Sequence, residues 1–412
     1  MISNWKTRGL TAGVALALAA AYPAVAQDDE ATFSISGWIN EGAAFYDDGQ
    51  SSDIVQVSDN GTTLGSRITF AGSAPLPNSG MKAGFEVILE PQSIFTPLIF
   101  SNQTNFDNGN GGDIRLLGSS AYVEGAAGKL TFGLQSMPTD NIAVLADPSL
   151  TLWSSISPLF RFNGFNIRGT GDGNAVWGDF AECLTGNELQ GAGGIGIDCN
   201  GIYRNGIRYD LPTIAEGLNI AIGYANDDIY DVALKYNHDF GGATGVFHIG
   251  YAENNGGTAF YESANNLQVQ AGLMHKDSGI FGTIAFQSEE AEGLSANAQA
   301  IGYGDDTTAW WFKGGVKRSF FSWGDTALTG WYGTYNDQFG DINATLTTGM
   351  VTDSEMQRIG LSIDQYFGSK LIMYLVWEAL DIEVDGTTTQ VEAAFNNADQ
   401  LNSVVLGMTF FF

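Results

Sequence analysis

Ser403-Val-Val-Leu-Gly-Met-Thr-Phe-Phe-Phe412 sets Val404, Leu406, Met408, Phe410 and Phe412 at every second position. Period two sends successive side chains to opposite faces of a strand, so these five share one face. In a water-soluble protein such an apolar strand would template aggregation through its unpaired edge. Pairing it with the alternating stretch at 32–46 removes that edge, and a closed sheet is the strand arrangement that can lie in lipid. The massed rings at the end suit a membrane interface.

The same rhythm recurs along the chain. Ser66, Ile68 and Phe70 alternate with Gly65, Arg67 and Thr69, and Tyr203, Ile207, Tyr209 and Leu211 with Arg204, Gly206, Arg208 and Asp210. Ile359, Leu361 and Ile363 alternate with Arg358, Gly360, Ser362 and Asp364. Such segments predict strands at 32–46, 62–73, 80–90, 114–125, 129–136, 202–211, 216–226 and 228–238. The second half predicts 243–253, 267–275, 279–288, 308–320, 325–336, 355–366, 370–381 and 403–412. Sixteen is an even number, as single-chain bacterial barrels have. Every second connection is short (Ala126-Ala127-Gly128, Asp277-Ser278, Gly368-Ser369), and the intervening ones are mostly long and polar. Only the connection near Asn226–Asp228 is short where a long one is due. Loops sorted by rim distinguish a transmembrane barrel from a sandwich. The expected fold is therefore all-β: a closed antiparallel transmembrane barrel of sixteen strands. Strand 370–381 is unusual, because Leu371 to Trp377 is apolar on both faces and must meet a neighbour or an inserted loop there.

Composition and address agree. Lys6 and Arg8 precede the apolar stretch Gly9–Ala20, and Ala24-Val25-Ala26 has the small-x-small pattern of a cleavage site. A secretory leader is expected over 1–26 and a single barrel domain over 27–412. Charged residues are 15% of the chain, well below the roughly 25% of soluble domains, because half of each strand meets lipid. The 17 basic residues, two of them in the leader, face 46 acidic ones, which excludes affinity for nucleic acid. The two cysteines, Cys183 and Cys199, fit a disulfide in an oxidising compartment, with a pair of free thiols as the alternative.

The chain also resembles the general bacterial porins, the sixteen-stranded trimeric diffusion channels of outer membranes. Gly65-Ser-Arg-Ile-Thr-Phe-Ala-Gly72 with Gly80-Met-Lys-Ala-Gly-Phe-Glu86 is similar to their second and third strands. Ala121-Tyr-Val-Glu-Gly-Ala-Ala-Gly-Lys-Leu-Thr-Phe-Gly-Leu-Gln135 is similar to their fourth and fifth, and Tyr203-Arg-Asn-Gly-Ile-Arg-Tyr-Asp-Leu-Pro212 to their sixth. Phe412 fits their carboxy-terminal signature. The resemblance implies an outer-membrane homotrimer that passes small hydrophilic solutes and ions. It also implies that the loop after the fifth strand, about 137–201, folds into the lumen and narrows it.

Strand parity turns Arg67, Lys82, Arg115, Arg204, Arg208, Lys235, Lys313, Lys317 and Arg358 inward. An arginine or lysine facing lipid at mid-depth would cost about 2–4 kcal/mol, so inward placement alone does not make a selectivity device. The resemblance puts Arg67 and Arg204 in a basic wall, joined here by Lys82, Arg115 and Arg208. Asp140, Asp147, Asp172, Asp179, Glu182, Glu188 and Asp198 in the long loop are the candidate opposing acids. Acidic loops could hold Ca²⁺ through oxygen ligands, but no spacing forms a recognisable calcium loop, so no cofactor is expected. Trp153, Phe160, Phe162, Phe165 and Trp177 could stack on sugars in a substrate-selective channel, or form the loop's own packing. A barrel-scaffolded hydrolase is the remaining alternative. Of His238, His248 and His275 only His248 has inward parity, and no catalytic cluster joins it.

Overall fold

The computed structural model describes residues 31–58, 65–91, 114–159, 161–168, 175–184, 195–200, 203–226, 228–340 and 342–412; the expected leader lies outside them. The strands are β1 (Thr32–Asp47), β2 (Ser52–Ser58), β3 (Arg67–Leu76), β4 (Met81–Pro91), β5 (Ile114–Gly125) and β6 (Gly128–Ser136). Then come β7 (Tyr203–Asp210), β8 (Leu218–Ala225), β9 (Ile229–Asp239), β10 (Ala243–Asn254), β11 (Ser263–His275) and β12 (Ile280–Glu292). The last are β13 (Asp306–Phe321), β14 (Gly324–Asn336), β15 (Val351–Phe367), β16 (Leu371–Gly386) and β17 (Leu401–Phe411). All join one antiparallel sheet. Among the described residues no helix is long and apolar enough to cross a membrane.

The expected strand at 62–73 is the one the structure redraws. β3 starts at Arg67 and pairs with the lower half of β1, while β2 pairs with residues 41–47 of the same strand. The two share one place in the ring, which therefore has sixteen positions. β1 and β17 close it, from Trp38 against Phe411 to Asp47 against Asn402. Inside this seam Asn40 is fully buried, and its amide donates to the Tyr374 hydroxyl (3.0 Å) and to Thr409 Oγ1 (2.6 Å). Phe412 extends the pairing, its N–H donating to the Gly37 carbonyl at 3.1 Å.

The alternation reads directly as lipid face and lumen face. Val404, Leu406, Met408 and Phe410 are exposed outward, whereas Val405 and Thr409 between them are fully buried. Trp310 likewise faces out and Trp311 in. Short turns gather on one rim. At the tightest of these, Gly128 has φ 118°, and a Cβ there would lie 2.4 Å from the Asp210 carbonyl oxygen, so only glycine fits. The other rim carries the long loops and, among the described residues, the helices α2 (Ala296–Ile301) and α3 (Thr389–Asn396), while α1 (Ile142–Leu145) lies in the long loop. β16 settles its own oddity. Met373, Leu375 and Trp377 face outward, while Ile372, Tyr374, Val376 and Leu380 are buried on the inner side. What covers them is the inserted loop.

Candidate channel and constriction

β6 has only nine residues, and from its end the chain turns inward at once. An irregular segment inside a barrel must find partners for its backbone polar groups, and here the wall supplies them in sequence. The Thr139 N–H and hydroxyl donate to Asp231 Oδ2 at 2.9 and 2.8 Å, and the Ala146 N–H to Gln270 Oε1 at 2.7 Å. Lys313 Nζ meets Asp147 at 2.7 Å, Lys317 Nζ the Ser149 carbonyl at 2.9 Å, and Tyr366 donates to the Leu150 carbonyl at 2.8 Å. Arg358 Nη1 donates to the carbonyls of Ile156 and Pro158, both at 2.9 Å. These contacts run from β9 round to β15, so the loop lies along that side of the ring.

Apolar packing follows the same path. Trp153, Phe162, Phe165 and Trp177 are buried in one cluster with Trp311, Tyr335, Val376, Leu380 and Val405 of the wall. The loop aromatics thus form the loop's own core and turn away from any solute; Phe160 lies outside the described residues. The Cys183–Cys199 disulfide is formed, with a Cα–Cα distance of 5.1 Å. Lys313, Lys317 and Arg358 point inward as parity required, yet their charge is engaged by the loop.

The opposite side runs from β3 to β8. A cavity of about 790 Å³ lies against it, lined by Glu86, Tyr122, Glu124, Lys129, Arg208 and Asp210 among others. Above it Arg67 and Arg115 both hold Glu90, at 3.1 and 3.0 Å on separate carboxylate oxygens. Glu90 is thus shared between two guanidiniums, its own carboxylate and Arg67 nearly buried and Arg115 more exposed. Arg67 also lies over the Trp38 ring at 4.6 Å. Arg204 is buried, and Arg208 pairs with Asp210 at 2.7 Å and donates to the Ser136 carbonyl. Lys82 stands apart from these. It pairs with Glu124 at the short-turn end of β4, half exposed, which makes it a mouth residue rather than part of the waist. An exposed pair of that kind contributes about 1 kcal/mol at most.

The loop acids divide. Asp140 is the carboxylate that reaches the basic side, within the fields of Lys235, Arg67 and Arg208. Burial nevertheless holds its pKa above the ordinary 3.8. Asp198, fully buried beside it, is pushed well above that value, first by burial and then by Asp140. Asp179 and Glu182 correct the expected arrangement. Asp179 accepts from the Val176 N–H in a short 3₁₀ turn, and Glu182 lies against Gly340 beyond β14, across the ring from the arginines. Asp172 and Glu188 fall outside the described residues. Glu90, which holds two arginines, is acidic and so stands outside the pattern of inward bases, although its place one strand over from Arg67 is a parity signal. His248 faces inward, 3.3 Å from Asn237 Oδ1, whereas His238 stacks on Tyr236 outside and His275 bonds Ser278 in a turn.

A profile described as Gram-negative porin matches residues 12–383. The chain belongs to the Gram-negative porins. This porin is also similar in fold to an anion-selective porin from Comamonas acidovorans, at 16% identity and a TM-score of 0.57, over 93% of this chain and all of that one. It is similar to OmpT of Vibrio cholerae in its trimer form, at 12% identity and a TM-score of 0.52, over 93% of this chain and all of that one. The outer-membrane channel DcaP of Acinetobacter baumannii matches at 11% identity and a TM-score of 0.52, over 93% of this chain and 97% of that one. A search of curated proteins finds no match. Family and closed ring together make this an outer-membrane porin, a channel for passive diffusion.

Proposed function

We propose that solutes pass this porin between the inserted loop and the arginine-bearing wall of β3 to β8. Arg67, Arg115, Arg204 and Arg208 form the positive side, and Asp140, backed by Asp198, forms the acidic side of the waist. The observation that carries this is the one-sided seating of the loop: most of its hydrogen bonds and its aromatic core engage β9 to β17 and β1, while the cavity lies against β3 to β8 with Arg208 in its lining. Opposed charges across a narrow, low-dielectric passage focus a transverse field that sorts solutes by charge and dipole. The burial of Trp153, Phe162, Phe165 and Trp177 supports a general channel over a sugar-stacking one. Among the described residues His248 bonds Asn237 and no carboxylate or serine, which supports a channel without catalysis. The likeness to OmpT in its trimer form supports a homotrimer, which light scattering on detergent-solubilised protein will test.

Single-channel recording with Arg67→Ala and Arg204→Ala tests the path. Both variants should change conductance and shift the reversal potential in a salt gradient toward cations. Unchanged values in both would mean that ions pass elsewhere. Liposome swelling with sugars of graded mass should show a smooth cutoff rather than saturation by one sugar.

A further inference from the structure

Glu378 lies on β16, fully buried, behind the loop and away from the β3 to β8 side of the lumen. One carboxylate oxygen meets Arg358 Nε of β15, and the other lies 3.9 Å from Arg161 Nε of the loop. Both arginines are fully buried. One terminal nitrogen of each arginine donates to one short stretch of loop backbone, while Arg161 Nη1 and Arg358 Nη2 are buried without a hydrogen-bond partner among the described residues. Arg161 Nη2 donates to the Ser154 carbonyl at 2.5 Å, and Arg358 Nη1 to the Ile156 and Pro158 carbonyls at 2.9 Å each. The Tyr335 hydroxyl takes the Ser157 carbonyl at 2.5 Å. Four carbonyls within five residues are thus satisfied from this cluster, in a segment with no helix or strand of its own.

Three buried charges are a costly way to hold a loop if adhesion alone is required. Well-packed apolar side chains of similar volume do that as well or better. What ions add is direction: a guanidinium N–H fixes the carbonyls it donates to, and the charge of Glu378, bonded to Arg358 and 3.9 Å from Arg161, holds the two guanidiniums relative to each other. The apolar cluster around Trp153 and Phe162 has no such directionality and would tolerate sliding.

We infer that Glu378 is a positioning residue for conduction, setting the place of the constriction loop through Arg358 and Arg161 without touching the solute path. The loop then has one seat on the wall, and the passage opposite it has one width. Without Glu378 the two guanidiniums repel, the carbonyl clamps lose their common reference, and the loop samples several seats.

Planar-bilayer recording of the full-length porin tests this with two variants. Glu378→Gln should lose the single conductance level of the parent and show several interconverting levels. Because two uncompensated guanidiniums could also impair folding, the second variant replaces the whole cluster, with Arg161→Met, Arg358→Met and Glu378→Leu together. It should recover the parent's thermal stability while keeping the multiple levels, a separation that a merely structural role cannot produce. A quiet, parent-like conductance in the triple variant would show that packing alone seats the loop and would overturn the inference. A quiet Glu378→Gln channel would do the same.

Discussion

Replacing Lys313 by Met is the sharpest test of how the loop is bound. Lys313 Nζ and Asp147 Oδ2 stand 2.7 Å apart, with 3% of each side chain exposed. Methionine keeps the bulk of the lysine stem, so the change removes a charge and leaves the Asp147 carboxylate buried beside two neutral Ser149 donors. Removing one partner of such a pair costs about 3–5 kcal/mol, most of it the stranded charge. At ~1.4 kcal/mol per decade that is roughly two to three and a half orders of magnitude in the equilibrium holding this stretch of loop. Urea titration in micelles, read by tryptophan fluorescence, should show an earlier transition, since Trp153 is buried close by in the same loop. The pH dependence gives the sign. In the parent, burial raises the Asp147 pKa, but the charge and hydrogen bond of Lys313, with Ser149, outweigh it and leave the group below 3.8. Its contribution is therefore present above 3.8 and lost as the pH falls through the lowered value. In Lys313→Met only neutral hydrogen bonds oppose burial, the pKa rises, and the variant should regain stability on acidification where the parent loses it. Adding Asp147→Asn should restore most of the loss at neutral pH, and the double-mutant cycle measures the pair. A variant that matches the parent at pH 8, or that fails to recover at pH 5, would refute a buried charge as the cause.

Asp140 and Asp198 should make ion preference depend on pH above the ordinary carboxylate range. Both pKa values are raised, so acidification from neutral pH discharges them early and should move the reversal potential toward anions; Asp198→Asn should remove most of that step. Replacing Cys183 and Cys199 by Ser should cost about 3 kcal/mol in the chain-entropy picture of a loop of this size, seen as faster amide exchange at Leu184 and Ile197. Deleting Phe412 removes its backbone pairing with Gly37, and refolding yield into micelles should fall while the conductance of assembled channels stays the same.

Period two along Gln357–Gln365 or Ser403–Phe412 is a local property of the chain, and it was enough to read strands, lipid face and lumen face. A side chain on a strand has only two directions, and lipid forbids charge in one of them. The short and long connections likewise showed the two rims, and the inward parity of Arg67, Arg204, Lys313 and Arg358 followed from counting. Nothing local, however, separates Arg67 from Arg358. Both are inward arginines on alternating strands, yet one is paired with Glu90 on the wall at the cavity side and the other is sealed under Ile156 and Pro158. That difference depends on where a loop of some 65 residues comes to rest, and its seat is chosen by partners on many strands far apart in sequence, from β9 round to β17 and β1. The same holds for Asp140 against Glu182, one beside the arginines and one across the ring. Strand geometry repeats every two residues and can be read off the chain; the loop has no period, so only the closed ring around it decides which charges meet water.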